Sequence, residues 1–97
     1  MNELTGFQRD LLYCIAAIED PYGLNIKREL EEYLSIEVNH GRLYPNLDQL
    51  VEKGLLSKEQ KDKRTNLYPL TPSAEDLIAD RRQWEDEILQ ASNINLH

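Results

Sequence analysis

A single cysteine, Cys14, leaves this chain without any internal disulfide, in keeping with a reducing compartment. No apolar run approaches the roughly 20 residues that a membrane span requires, and the opening Met1-Asn2-Glu3-Leu4 lacks the basic start of a signal peptide. A soluble, cytoplasmic protein with no membrane partner is therefore expected. Histidine occurs only as His40 and His97, distant from each other and from Cys14 in sequence, which makes a metal site improbable. There is no Gly-rich phosphate loop and no local Ser/His/Asp motif, and the carboxylates are spread along polar helix faces. Neither a catalytic residue nor a cofactor is expected.

Basic residues are also the scarcer charge, 11 Lys and Arg against 18 Asp and Glu, for a net −7. Taken whole, that balance argues against nucleic acid, because phosphate contacts need cations. The distribution reverses the inference. Residues 1–37 hold three basic and eight acidic side chains, and residues 71–97 hold two and six. Residues 38–70 hold six basic and four acidic, so the middle third alone is positive, at +2.

What is present is one domain. Ninety-seven residues, 40% hydrophobic and 30% charged, suit a globular chain whose core is adequate without being generous. Thr5 and Gln8 form a capping box that opens a first helix running to about Ile18. Phe7, Leu11, Cys14, Ile15 and Ile18 fall on one face, with Leu12 and Tyr13 off it, more apolar surface than one neighbour can cover. Cys14 lies in that stripe, where a thiol behaves as a small inert hydrophobe. Glu19 to Gly23 reads as a turn. A second helix follows from Leu24 to about Leu34, with Ile26, Leu30, Tyr33 and Leu34 inward and charged residues outward. Ser35 to Val38 is a short connection.

The third helix begins at Asn39, a good N-cap, and ends near Gly54. Leu43, Leu47, Leu50 and Val51 repeat at i, i+4, i+7 and i+8 and define its core side. The opposite side carries Gly41, Pro45, Gln49 and Glu52, flanked by Arg42, Asn46 and Lys53. Two helices joined so tightly, the second polar at its start, form a helix-turn-helix. Beyond Gly54 the period becomes that of strands: Leu55 to Gln60 and Thr65 to Leu70, joined by the tip Lys61-Asp62-Lys63-Arg64, make a hairpin wing in which Pro69 is acceptable on an edge strand. Thr71, Pro72 and the acids that follow start a last helix reaching about Ala91. Its stripe Ala74, Leu77, Ile78, Arg81, Trp84, Ile88 and Ala91 exceeds what a 70-residue winged helix needs for its own core. A dimerisation element anchored by Trp84 is expected, alongside packing on the first helix. The fold class is thus mainly α with a two-stranded wing. Residues 1–71 form the winged helix-turn-helix, 72–91 the terminal helix of the same compact domain, and 92–97 a frayed tail.

In this layout the chain resembles the PadR family of winged-helix transcriptional regulators from about Leu4 to Leu89. The resemblance rests on Tyr22-Gly23-Leu24-Asn25-Ile26, Gly41-Arg42-Leu43-Tyr44-Pro45-Asn46-Leu47, Leu50-Val51-Glu52-Lys53-Gly54-Leu55 and Arg64-Thr65-Asn66-Leu67-Tyr68-Pro69-Leu70-Thr71. The acidic balance and the form of these motifs are similar to the versions found in halophilic archaea. The resemblance implies a homodimer in which the terminal helix packs with the partner's first helix, and it implies a repressor of transcription.

The expected partner is double-stranded DNA, with the first two turns of the third helix in the major groove. Arg42 suits guanine and Asn46 adenine, while Tyr44 and the backbone from Asn39 through His40 to Gly41 suit phosphates. Gly41 would let a backbone approach, Pro45 would offer a thymine methyl an apolar contact, and Gln49 continues the outer face. In the wing, Lys61, Lys63, Arg64, Thr65 and Asn66 are the expected contacts to backbone or minor groove. Tyr44 could instead bury its ring at the edge of the core. Dimer contacts are expected from Phe7, Leu11, Leu77, Ile78, Arg81, Trp84 and Ile88. A dimer of −14 would need local charge or cations at high salt to approach DNA. Two alternatives remain open: a winged helix that binds protein, and a regulator with an apolar small-molecule pocket around Trp84 at the dimer centre.

Overall fold

The computed structural model describes residues 1, 3–92 and 94, in the order α1 (Gly6–Ala16), α2 (Gly23–Leu34), α3 (His40–Glu52), β1 (Glu59–Gln60), β2 (Asn66–Leu67) and α4 (Pro72–Ala91). Most of the expected tail, Asn93 and residues 95–97, lies outside the described residues. The capping box at Thr5 is formed with both of its bonds. Asn39 caps α3 by accepting from the Arg42 N–H at 2.8 Å, and Thr71 caps α4 by accepting from the Ala74 N–H at 3.2 Å. Gly54, with φ of +76°, turns the chain out of α3, a conformation that costs an L side chain free energy. The Thr71 hydroxyl also donates to the Gly54 carbonyl at 2.7 Å, so one residue ties the end of α3 to the start of α4.

The core lies where α1 packs on both α2 and α3. Leu11, Leu12, Ile26, Leu30, Leu43, Leu47 and Leu50 are fully buried there, each worth about 1.5–3 kcal/mol relative to exposure. Two expectations change at this level. Leu12, assigned to the flank of the first helix, is in the core, because α1 is covered from two sides and its apolar arc is wider than one stripe. Tyr33, assigned to the inward stripe of the second helix, is 70% exposed.

The wing is held by more than its own two strands. Glu59 pairs with Leu67 and Gln60 with Asn66, antiparallel, and Leu56 bridges Leu70 nearer the base. On the other side Tyr22 bridges Leu67, and the Tyr68 N–H donates to the Pro21 carbonyl at 2.8 Å. The segment read as a plain turn before α2 therefore also adds an isolated bridge to the side of β2 away from β1, and Pro69 falls just past the Tyr68 bond, where no donor is required. Tyr68 is buried beneath this ribbon.

In α4 the apolar stripe divides. Ala74 is buried and Leu77 and Ile78 pack on the core, whereas Trp84 and Ile88 are each 48% exposed. The helix thus begins as part of the domain and leaves it.

Candidate nucleic-acid interface

The first two turns of α3 expose His40, Gly41, Arg42 and Pro45, with Gln49 exposed one turn later and Tyr44 and Asn46 half-buried. Arg42 places its guanidinium 3.9 Å above the centre of the Phe7 ring, so α1 holds this cation at the rim of α3. A Cβ at Gly41 would meet only Asn39 Oδ1, at 3.4 Å; nothing within the described residues demands glycine there. The helix continues through Pro45 without a break.

Tyr44 is placed differently from a free phosphate ligand. Its ring lies over Gly23 at the start of α2, so closely that a Cβ there would overlap the hydroxyl and stand 2.8 Å from Cζ. On its other side the ring is 5.5 Å from the His40 ring. Tyr44 is thus half-buried at the edge of the core, its hydroxyl end against the start of α2.

Asn46 is also engaged. Its Nδ2 donates to the Arg42 carbonyl at 2.7 Å, and its Oδ1 accepts from Gln8 Nε2 at 3.0 Å. Gln8 donates as well to Gln49 Oε1 at 2.8 Å. Sequence reasoning assigned Gln8 to the capping box alone. The missed signal was its spacing, three and four residues before Leu11 and Leu12, which turns it inward toward α3.

In the wing, Lys61, Lys63 and Arg64 are exposed and Thr65 and Asn66 are half-buried. The tip is shaped by Asp62, whose carboxylate accepts from the Arg64 N–H at 2.9 Å, and by the Thr65 carbonyl, which accepts from the Lys61 N–H at 2.9 Å. The Arg64 N–H, followed by lesser contributions from Thr65 and Lys61, keeps the Asp62 carboxyl below its ordinary range. At the base of the wing Lys58 lies 3.5 Å from Asp48 of α3. That exposed pair spans from the base of the wing to α3 and offsets the charge of Asp48 in the second half of the helix.

The helix-turn-helix connection is closed by Glu31, which accepts from the Val38 N–H at 2.8 Å and pairs with Lys27 at 3.1 Å. These two donors hold the Glu31 carboxyl below its ordinary range, the Val38 bond contributing most.

Away from α3, a groove of about 750 Å³ runs between α1, α2 and the projecting half of α4. Tyr13, Tyr33, Trp84 and Ile88 supply its apolar surface, but Arg9, Asp10, Glu29, Arg81, Arg82, Glu85 and Asp86 also line it. Its lining is thus mixed, apolar rings beside charged groups. Arg81 stacks 4.4 Å from the Trp84 ring centre and pairs with Glu85 at 3.5 Å. Of the expected dimer contacts, Leu11 has no exposed surface to offer a second copy, being consumed by its own core, and Phe7 lies under Arg42. Burial pushes the Cys14 thiol up to about 11, with Glu29 and Asp10 adding to the effect. Among the described residues no cluster of His, Cys, Asp and Glu could hold a metal ion, and no helix is long and apolar enough to cross a membrane.

Comparison with known proteins agrees with this architecture. The family model described as the transcriptional regulator PadR-like family matches residues 11–80. A complex structure of hsRosR-S1 is 55% identical with a TM-score of 0.83, over 87% of this chain and 74% of that one. RosR from H. salinarum, in a structure grown from NaBr, is 50% identical with the same TM-score, over 97% and 82%. A PadR-like transcription factor from bacteroid fragilis is 28% identical with a TM-score of 0.71, over 89% of each chain. No curated protein matches.

Proposed function

The chain belongs to the transcriptional regulator PadR-like family, and from that premise we propose that it is a cytoplasmic, sequence-specific DNA-binding repressor that acts as a homodimer. The observation that carries the reading is the joint exposure of the α3 N-terminus and the basic wing tip in the one positive third of the chain. The α3 N-terminus offers unpaired backbone N–H groups and the positive end of a helix dipole, with Arg42 beside it. Lys61, Lys63 and Arg64 supply the charge that would meet flanking phosphates. The half-exposed Trp84 and Ile88 of α4 support a second copy as the partner that covers them, and a dimer would carry two copies of α3 to two half-sites.

Replacing Arg42 or Asn46 by Ala is expected to relax base preference at discrete positions, by about 1–3 kcal/mol for a good base contact. Replacing Lys63 or Arg64 is expected to weaken binding to all sequences alike and to flatten its salt dependence. Gel shifts with promoter-containing genomic fragments and random duplex, at several KCl concentrations, measure both. Equal losses on specific and random DNA for all four variants would overturn the division of roles. Because a dimer carries twice −7, binding is expected to survive or require high KCl, with cations lying between carboxylates and phosphates. A steep ordinary loss with added salt would count against that part. Absence of any shift would favour a protein-binding winged helix.

A further inference from the structure

Gln8 is a polar side chain buried in the described core, 3% exposed, and each of its hydrogen bonds has a fixed sense. The Thr5 N–H can only donate, so it takes Gln8 Oε1, at 3.3 Å. The Gln8 amide must then turn Nε2 toward α3, where it meets Asn46 Oδ1 at 3.0 Å and Gln49 Oε1 at 2.8 Å. At the far end, Asn46 Nδ2 lies 2.7 Å from the Arg42 carbonyl, which can only accept. A relay pinned between a backbone donor and a backbone acceptor admits one orientation for the amides within it. Reversing Asn46 would set oxygen against oxygen at Arg42 and nitrogen against nitrogen at Gln8. The consequence lies on the outer face of α3: Asn46 and Gln49 both turn their oxygens to Gln8, leaving the second N–H of Asn46, whose first is held by the Arg42 carbonyl, and the amide N–H groups of Gln49 for whatever approaches from outside.

We infer that Gln8 is a positioning residue for base recognition, orienting Asn46 and Gln49 so that α3 presents hydrogen-bond donors to the major groove. This rests on the DNA-binding reading above. Donors at these two positions favour guanine most, with N7 and O6 both accepting, and then thymine O4; they disfavour cytosine N4, and adenine offers them N7 alone beside its N6 amino group. The adenine pairing expected of Asn46 from its residue type is replaced, because that pairing needs the amide oxygen, which here faces Gln8.

The test is selection of bound sequences from randomised duplex DNA by the full chain and four variants. Asn46→Ala and Gln49→Ala locate the positions that the two amides read, as those where preference flattens. At these positions the wild type is expected to favour guanine or thymine by about five- to tenfold, the low end for a base contact. Gln8→Met, of similar length but unable to donate, frees Gln49 and leaves Asn46 held only at the Arg42 carbonyl, so it is expected to cut the preference at the Gln49 position to about twofold or less and that at the Asn46 position by a smaller factor, leaving other positions of the motif unchanged. Gln49→Glu, at an exposed site, exchanges the outward donor for an acceptor and is expected to shift its position toward cytosine or adenine. If the wild type enriches no motif, the sequence-specific DNA reading itself fails. If it enriches one and Gln8→Met, folded by circular dichroism, keeps the same preferences, the role of Gln8 is overturned. Should Gln8→Met not fold, Gln49→Glu decides: an unchanged profile refutes the donor polarity, and a shift to amino-bearing bases upholds it.

Discussion

Replacing Gly23 by Ala adds one methyl group at the first residue of α2, and the structure makes its consequence calculable. The new Cβ would overlap the Tyr44 hydroxyl and lie 2.8 Å from Cζ and 3.0 Å from Cε1, so moving the hydroxyl alone gives no relief. The whole ring has to leave α2, or α2 has to shift against α3. Overpacking of this kind costs about 1–3 kcal/mol. Alanine recovers at most about 1 kcal/mol of helix propensity, less at a helix start. A net loss of about 1–2 kcal/mol lowers the Tm of a domain this size by roughly 5–15 °C. Thermal unfolding by circular dichroism would measure it, and a double-mutant cycle identifies the cause. Tyr44→Phe removes only the overlapping hydroxyl and should relieve part of the loss, whereas Tyr44→Ala should abolish the penalty of the added methyl. Because Tyr44 stands one turn after His40 on α3, Gly23→Ala should also weaken DNA binding. A Gly23→Ala variant as stable as the wild type, with no coupling to Tyr44, would refute the reasoning.

The Glu31 carboxyl has a folded pKa below its ordinary 4.5, so its bond to Val38 and pair with Lys27 stabilise the fold above that pH and the contribution is lost as pH falls through the depressed value. Glu31→Gln should therefore melt below the wild type at pH 7 and converge on it as acidification protonates the wild-type carboxyl; a gap independent of pH would contradict this. With its thiol at about 11 instead of 9.0, Cys14 should be alkylated about 100-fold more slowly in the folded chain than in denaturant at pH 8, and equal rates would show an accessible thiolate. Trp84→Ala should weaken the proposed homodimer by roughly 30- to 1000-fold, the range for an aromatic hot spot, with secondary structure retained. Sedimentation would detect the change, and an unaltered mass at all concentrations would remove Trp84 from the interface.

Much of this molecule was legible locally. Thr5 with Gln8, Asn39, Gly54 and Thr71 mark helix ends because each satisfies or releases backbone groups within three or four residues, and that chemistry does not depend on the rest of the fold. The 3.6-residue spacing of Leu43, Leu47 and Leu50 likewise specified a buried face before any neighbour was known. The charge asymmetry singled out the middle third by sequence position alone.

Other assignments needed the packing. Leu12 and Tyr33 exchanged expected places because a residue at the border of an apolar stripe is buried or exposed according to how many neighbours the helix has. Pro21 and Tyr22 joined the wing through backbone bonds, to which side-chain identity contributes little. Residue type alone made Asn46 a free reader of bases and Gln8 half of a helix cap. Their 3.0 Å contact spans 38 residues of chain, and no local periodicity encodes it. The sequence by itself determined which helices exist, where they stop and where positive charge collects, since those depend on near neighbours. The tertiary structure alone decided which way the amides on α3 face and what covers Tyr44, because both are set by groups that meet only when α1 and α2 close on α3.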